Sequence, residues 1–383
     1  MGSVIADVLL VSPRALVRPV CVEIAEDGTI AELHEGHDPP AGSRVIFDGA
    51  GEVYLTAGFI DIHTHGANGA DLSHATPEAV ETIAEAKLAE GVTTFLPTTW
   101  TASREHTVAM AEAAAAYRRT ERFARAPYLH VEGPFLNPDR AGAQDARHMR
   151  PPDAGEIRAL HDICPVRLLS LAPERSGAVD CIRDLGRLGI RCSAAHSAAT
   201  YAEFAAAREA GLAHLTHYGN QMSGLHHREI GLVGAGLLDE RIGIELICDK
   251  VHLSPDMVRL VFRHCAHDRL MLITDSIAAS HLGDGEYLVQ DTEIVVRDGA
   301  ARIPDGSLAG SVATFDQVVR NAVEITGLPL NEISRTWAAN QARSLGLTDR
   351  GGIQQGCLAD LTLLSPTLEV VAVYVGGKPR YSA

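Results

Sequence analysis

The sequence predicts a (β/α)8 barrel with a small β-sandwich built from both chain ends. Three observations carry that prediction. First, eight short apolar runs between Phe59 and Thr274 alternate with helix-period stretches. Continuously apolar strands that alternate with helices are parallel strands buried on both faces, and eight such units close a barrel. Second, the chain ends, residues 1–54 and 350–383, read as short β segments separated by Pro and Gly turns. Third, 383 residues with 46% hydrophobic and 21% charged side chains is a globular balance. An open doubly wound sheet is the rival, but no G-x-G-x-x-G follows the first strand.

In chain order, the N-terminal segments are Val4–Val11, Val20–Ala25, Ile30–His34 and Arg44–Asp48. The barrel strands are Phe59–Ile62, Val92–Pro97, Tyr128–Glu132, Val166–Leu171, Arg191–Ala195, Ala213–Thr216, Ile242–Cys248 and Leu270–Thr274. Helices are predicted over Pro77–Glu90, Arg104–Tyr117, Asp153–His161, Gly177–Leu188, Tyr201–Ala210 and Pro255–Cys265. Thr76-Pro77 and Ser254-Pro255 place a capping oxygen before a proline at the first helical position. A β insertion is expected over Glu286–Ile303, then helices Ser311–Thr326 and Leu330–Leu345, then tail strands Asp360–Leu364 and Leu368–Val375. The division is therefore 1–54 with 350–383 for the sandwich and 55–349 for the barrel.

Charge and cysteine usage narrow the class. Lys plus Arg is 33 against 49 for Asp plus Glu, a net charge of −16. That field repels nucleic acid and anionic lipid, and an anionic substrate needs local positive charge to enter. Seven scattered cysteines without a C-x-x-C pair suit a reducing compartment rather than a disulfide framework. No run reaches the length of a membrane span. The opening MGSVIADVLLVSP has no basic n-region, so the expectation is a cytoplasmic protein.

The polar residues at the strand ends are the informative feature. Strand one ends in His63-Thr-His65, strand three in Glu132, strand five in His196, strand six in His217 and strand eight in Asp275. His252 lies in the loop after strand seven. The C-terminal ends of barrel strands surround one mouth, so these side chains converge there. H-x-H on a strand puts both imidazoles on one face. Imidazole and carboxylate suit zinc, iron or manganese, and a bound divalent ion lowers the pKa of water toward neutrality. Asp275 is the candidate base. Trp100, after strand two, reads as packing, and the histidines away from the strand ends read as surface or loop.

At these residues the sequence resembles the amidohydrolase superfamily, and within it the N-acetylglucosamine-6-phosphate deacetylases. The matching segments include Gly58-Phe-Ile-Asp-Ile-His63-Thr-His65-Gly66, His130-Val-Glu132-Gly-Pro-Phe-Leu-Asn137-Pro, Ser193-Ala-Ala-His196-Ser and Thr216-His217 through Asn220 and Met222. His227-Arg228-Glu229, Thr274-Asp275, Leu308-Ala-Gly-Ser311 and Gly356-Cys-Leu-Ala-Asp360 continue the match over nearly the whole chain. The resemblance implies Glu132, His196 and His217 as ligands of the main metal, with His63 and His65 for a second ion. It implies Asp275 as general acid/base and His252 beside the scissile amide. Asn220 contacts the phosphate, and Arg228 reaches the phosphate of the neighbouring subunit's substrate, which makes the protein a homodimer.

Three segments depart from the family pattern: Gly219 with Gln221, Gln144 in place of a histidine, and Lys250-Val251 before His252. All belong to the substrate pocket, so Gln144 and Gln221 are candidate substrate contacts that distinguish this chain. The expected function is removal of the N-acetyl group from an amino sugar, N-acetylglucosamine 6-phosphate first, with one or two divalent ions, zinc foremost. The alternatives are another N-acyl or cyclic amide, a different or unphosphorylated amino sugar, or a ring deaminase. Deaminases of this superfamily need a further acid near the strand-five histidine, and the nearest, Glu203, falls inside a predicted helix. A non-catalytic barrel would have no physical need for so complete a ligand set.

Overall fold

The computed structural model describes residues 2–289 and 292–383. Eight parallel strands form the barrel: Phe59–Thr64, Val92–Thr99, Leu129–Glu132, Val166–Leu171, Arg191–Ala194, Leu212–Leu215, Gly243–Leu246 and Leu270–Leu272. Each pairs with the next in sequence order. Strand eight returns to strand one through a parallel bridge between Thr64 and Ser276, with Asp275 N donating to His63 O (2.9 Å) and His65 N to Ser276 O (2.8 Å). This closure brings His63, His65 and Asp275 side by side.

The eight expected strands are all present, and so are the six expected helices between them. Thr76, Ser103, Asp153, Thr200 and Ser254 cap five of these helices through their side chains. Thr200 and Glu203 form a capping box, so Glu203 serves the helix start and does not line the barrel mouth. A seventh helix, Gly231–Leu238, was not expected. Three glycines lower its intrinsic propensity. Packing requires small residues there: a Cβ on Gly236 would fall 2.4 Å from the Tyr218 ring and one on Gly231 2.7 Å from Ser223 O.

Both chain ends contribute strands to one eight-stranded sheet, which fits the small sandwich expected. Its order runs Lys378–Ser382, Val370–Val375, Leu361–Leu364, Tyr54–Ala57, Ser3–Ser12, Ala15–Ile24 and Ile30–Glu35, with Arg44–Asp48 also on Ser3–Ser12. Lys378–Ser382 escaped the sequence reading because this exposed edge strand, KPRYS, has no apolar alternation. The β insertion is a three-stranded antiparallel sheet, Gly285–Val289, Thr292–Arg297 and Ala300–Arg302.

Two helical boundaries move for tertiary reasons. The helix expected from Ser311 begins at Phe315, because Ser311 is used elsewhere: its N–H donates to Asp275 O and its hydroxyl to Thr274 O. The helix expected over Leu330–Leu345 is broken into Leu330–Ile333, a 3-10 turn Ser334–Trp337 and Ala339–Leu345. The break seats Trp337 against Phe59, with its indole N–H donating to Thr56 (3.0 Å). No helix among the described residues is long and apolar enough to cross a membrane.

Candidate active site

His196, His217 and Asp275 lie two or three residues beyond the ends of their strands and adopt left-handed backbone, with φ of 43°, 33° and 52°. Residues other than glycine rarely adopt that region, and such strain gathers at functional sites. The abrupt turn ends the strand and aims the side chain across the mouth. Gly310 makes one close approach possible: a Cβ there would lie 2.7 Å from the Asp275 carbonyl, against which the chain packs.

The side chains form two adjoining groups, His63–His65–Asp275 and Glu132–His196–His217, each able to place three ligand atoms around one ion. His63 Nε2 lies 3.3 Å from His65 Nε2 and 3.2 Å from Asp275 Oδ1. His217 Nε2 lies 3.2 Å from His196 Nε2 and 3.0 Å from Glu132 Oε1. Glu132 spans both groups, since its Oε2 is 3.2 Å from His65 Nε2. Facing imidazole nitrogens share at most one proton between them, whereas a cation satisfies both lone pairs at once. The donor set therefore fits a divalent ion.

The electrostatics agree. Burial opposes protonation of His65, yet hydrogen bonds to Asp275 and Glu132 outweigh it and push its pKa up to about 9. Burial opposes ionisation of Glu132, and the surrounding imidazoles hold its carboxyl well below the usual range. The cluster thus favours positive charge at its centre, which a metal supplies.

Outer partners orient these groups. His65 Nδ1 lies 3.1 Å from Thr98 O, and His196 Nδ1 2.8 Å from Arg140 O. The Trp100 indole stacks on His65, centroids 4.0 Å apart, and donates to Asp71 (3.1 Å). Trp100 therefore shapes the site as well as packing. Below His63, Glu245 lies fully buried with Oε2 3.9 Å from His63 Nδ1, and neither atom has a hydrogen-bond partner among the described residues. Its Oε1 lies 2.8 Å from His214 Nδ1. The sequence reading passed over Glu245, although a lone carboxylate in the apolar run Ile242–Cys248 is a visible signal.

A cavity of about 160 Å³ opens above the cluster, lined by His65, Glu132, His196, His217 and Asp275 together with Gln144, Asn220, Gln221 and His252. Gln144 donates its amide to Glu132 Oε2 (2.5 Å) and accepts from Thr101 N (2.7 Å). His252 Nδ1 lies 2.6 Å from Asp249 Oδ2, and that carboxylate raises the imidazole pKa against the effect of burial. His63 lies beneath the cavity floor, fully buried. Arg228 is the exception. It is exposed, contacts His227 Nε2 (2.7 Å) and does not line the cavity of its own chain. Ser307, Leu308 and Gly310 complete the wall from the segment after the β insertion, a contribution sequence reasoning did not assign.

The amidohydrolase family model matches residues 54–380. An N-acetylgalactosamine-6-phosphate deacetylase of Escherichia coli O157:H7 is 36% identical over 85% of this chain and 87% of its own length. An N-acetylglucosamine-6-phosphate deacetylase of Bacillus subtilis is 34% identical over 97% of this chain and 96% of its own. A solved variant of the Mycobacterium smegmatis N-acetyl-D-glucosamine-6-phosphate deacetylase, in complex with N-acetyl-D-glucosamine-6-phosphate, is 33% identical, superposes with a TM-score of 0.92 and covers both chains fully. With its closed barrel and strand-end donor set, the chain belongs to the amidohydrolase family, in the branch of the N-acetylglucosamine-6-phosphate deacetylases.

Proposed function

We propose that this protein removes the acetyl group from the nitrogen of a 6-phosphorylated amino sugar, N-acetylglucosamine 6-phosphate first, giving the free amine and acetate. The observation that carries the reading is the convergence of two three-donor groups, one of which includes Asp275, at one small cavity. Relatives named for this reaction align along nearly the whole chain.

A divalent ion held by Glu132, His196 and His217, with a second position at His63 and His65, would polarise the amide carbonyl and acidify water; zinc suits these donors best, with iron or manganese next. Asp275 takes the proton of the attacking water on its carboxylate and returns it to the leaving nitrogen. His252, held by Asp249, faces the amide. Gln144 fixes the free oxygen of Glu132 and presents its side chain to the sugar. Asn220 and Gln221 form the wall toward the phosphate. Arg228, exposed on its own chain, serves the site of a second copy in a homodimer. Its guanidinium supplies positive charge to a cavity whose own lining holds no Lys or Arg, in a chain of net charge −16. Seven buried free cysteines fit a reducing compartment, and we place the protein in the cytoplasm.

The test follows acetate release from N-acetylglucosamine, N-acetylgalactosamine and N-acetylmannosamine, each with and without a 6-phosphate. The fastest turnover is expected with N-acetylglucosamine 6-phosphate. Preference for the galacto epimer would transfer the reading to the activity for which the Escherichia coli relative is named. No acetate from any of the six would overturn it.

A further inference from the structure

The opposite end of the barrel holds a second cavity, of about 280 Å³. It lies where strands five to seven begin, at Arg191, Leu212 and Gly243. Arg191, Arg208, Arg241, Arg269 and Arg343 line it, with His214. Asp268 is the only carboxylate residue in that lining. An adjoining cavity of about 420 Å³ shares Asp268, Asn340 and Arg343 and adds Arg335.

Some of this positive charge is answered. Arg241 pairs with Asp239 (3.0 Å) and Glu209 (3.2 Å), and Arg208 stands 4.0 Å from Asp239. The rest is not. Arg269 donates to the carbonyls of Gly236 (2.9 Å) and Ile242 (3.1 Å), Arg191 to that of Ser344 and Arg343 to that of Asp268. Carbonyl dipoles do not cancel a full charge. Among the described residues, none of these three guanidinium groups has a carboxylate within ion-pair distance. In a chain of net charge −16, an unneutralised positive pocket is a strong local departure.

A second observation is independent of the charge count. Arg269 is only 8% exposed, and its Nε has no acceptor among the described residues. The buried Nε of Arg208, on the same cavity, makes no hydrogen bond among the described residues either. Buried donors are nearly always satisfied, so these two nitrogens mark guanidinium groups at this cavity that the chain's own acceptors answer incompletely. Burial and the nearby Arg167 also hold the Arg191 guanidinium below its usual pKa, a further sign of missing negative charge.

The fork of the guanidinium matches tetrahedral phosphate oxygens in pairs, and several such forks recognise phosphate better than a single carboxylate. The lining contains no Phe, Tyr or Trp to stack on a base, and the volume suits a small solute. We propose that the cavity at the N-terminal end of the barrel binds a small phosphate-bearing anion, held by Arg191, Arg269 and Arg343. The site lies on the face opposite the metal cluster and does not depend on the substrate assigned there.

The test is calorimetric titration of the metal-loaded full chain with inorganic phosphate and, separately, with glucose 6-phosphate. At least one should bind in the wild type, and the Arg191→Gln/Arg343→Gln variant should lose that site or bind it at least tenfold more weakly. Arg259→Gln, at a half-buried helix position that lines neither this cavity nor the catalytic one, should bind as the wild type does. Inorganic phosphate alone would mean free phosphate is the ligand, and glucose 6-phosphate alone a phosphate carried on a small molecule. To separate this site from the catalytic cavity, wild-type crystals are soaked in tungstate. An anomalous peak among Arg191, Arg269 and Arg343 is expected, and its location does not depend on any variant folding. Tungstate bound only elsewhere, or a folded double variant that binds both probes as the wild type does, would overturn the proposal.

Discussion

Asp275 sits at φ 52°, its carboxylate within 3.3 Å of both His63 and His65. Asp275→Asn keeps the shape and most hydrogen bonding but cannot carry a proton. Turnover should fall by roughly 10²–10⁴-fold with fold and metal content retained. A near-normal kcat would remove Asp275 from the proton path. Glu245 is argued differently, because it faces His63 from below and not the reaction. At 3.9 Å from His63 Nδ1, Glu245 acts on the imidazole as a buried negative charge that favours its binding of a cation, and losing a carboxylate behind a ligating histidine typically costs about 10–100-fold in metal affinity. Glu245→Gln should therefore weaken metal binding by about that factor, while kcat at saturating metal changes much less. Equal metal affinity in competition with a chelator would show that Glu245 only fills space.

At the scale of elements, the barrel closure rests on a buried ionic group behind the site. Lys87, on the first helix, lies 3.0 Å from Glu90 Oε2 and 3.2 Å from Asp61 Oδ2, and donates to Thr274 and Ser276 on either side of Asp275. Asp61 in turn accepts from Thr274 Oγ1 (2.6 Å), and Glu90 from Phe315 N (2.9 Å). Four segments distant in sequence are thereby tied together. Lys87→Ala would leave two carboxylates buried without a cation, a change that costs about 3–5 kcal/mol. Lys250→Ala, which removes an exposed pair with Glu324, should cost under about 1 kcal/mol. Urea midpoints measure both. Similar shifts for the two variants would deny the buried group its structural role.

For the whole molecule, the seven cysteines are free and buried. They should react with a thiol reagent only after denaturation. Burial pushes the thiol of Cys164 up to about 11 and that of Cys181 up to about 12. An unfolded chain ionises these groups at about 8.5, the ordinary cysteine value. Above that pH the native state holds protons that the unfolded state has released. Stability then falls as pH rises, by about 1.4 kcal/mol per unit for each such thiol until its native pKa is passed. Urea midpoints at pH 8 and pH 10 check the sign, and a midpoint that rises toward pH 10 would contradict it.

The sequence by itself determined the eight barrel strands, six of the helices between them and the donor residues at the strand ends. Apolar runs buried on both faces and capping residues are local signals, and a closed parallel barrel turns position at a strand end into proximity at one mouth. Tertiary structure alone decided the rest. The Gly231–Leu238 helix exists because neighbours demand glycine where local propensity argues against a helix. The broken helix near Trp337 yields to a distant packing site. Glu245, Lys87 and the arginines of the lower cavity acquire meaning only when the barrel closes. A buried charge is defined by what surrounds it, and those surroundings come from remote parts of the chain.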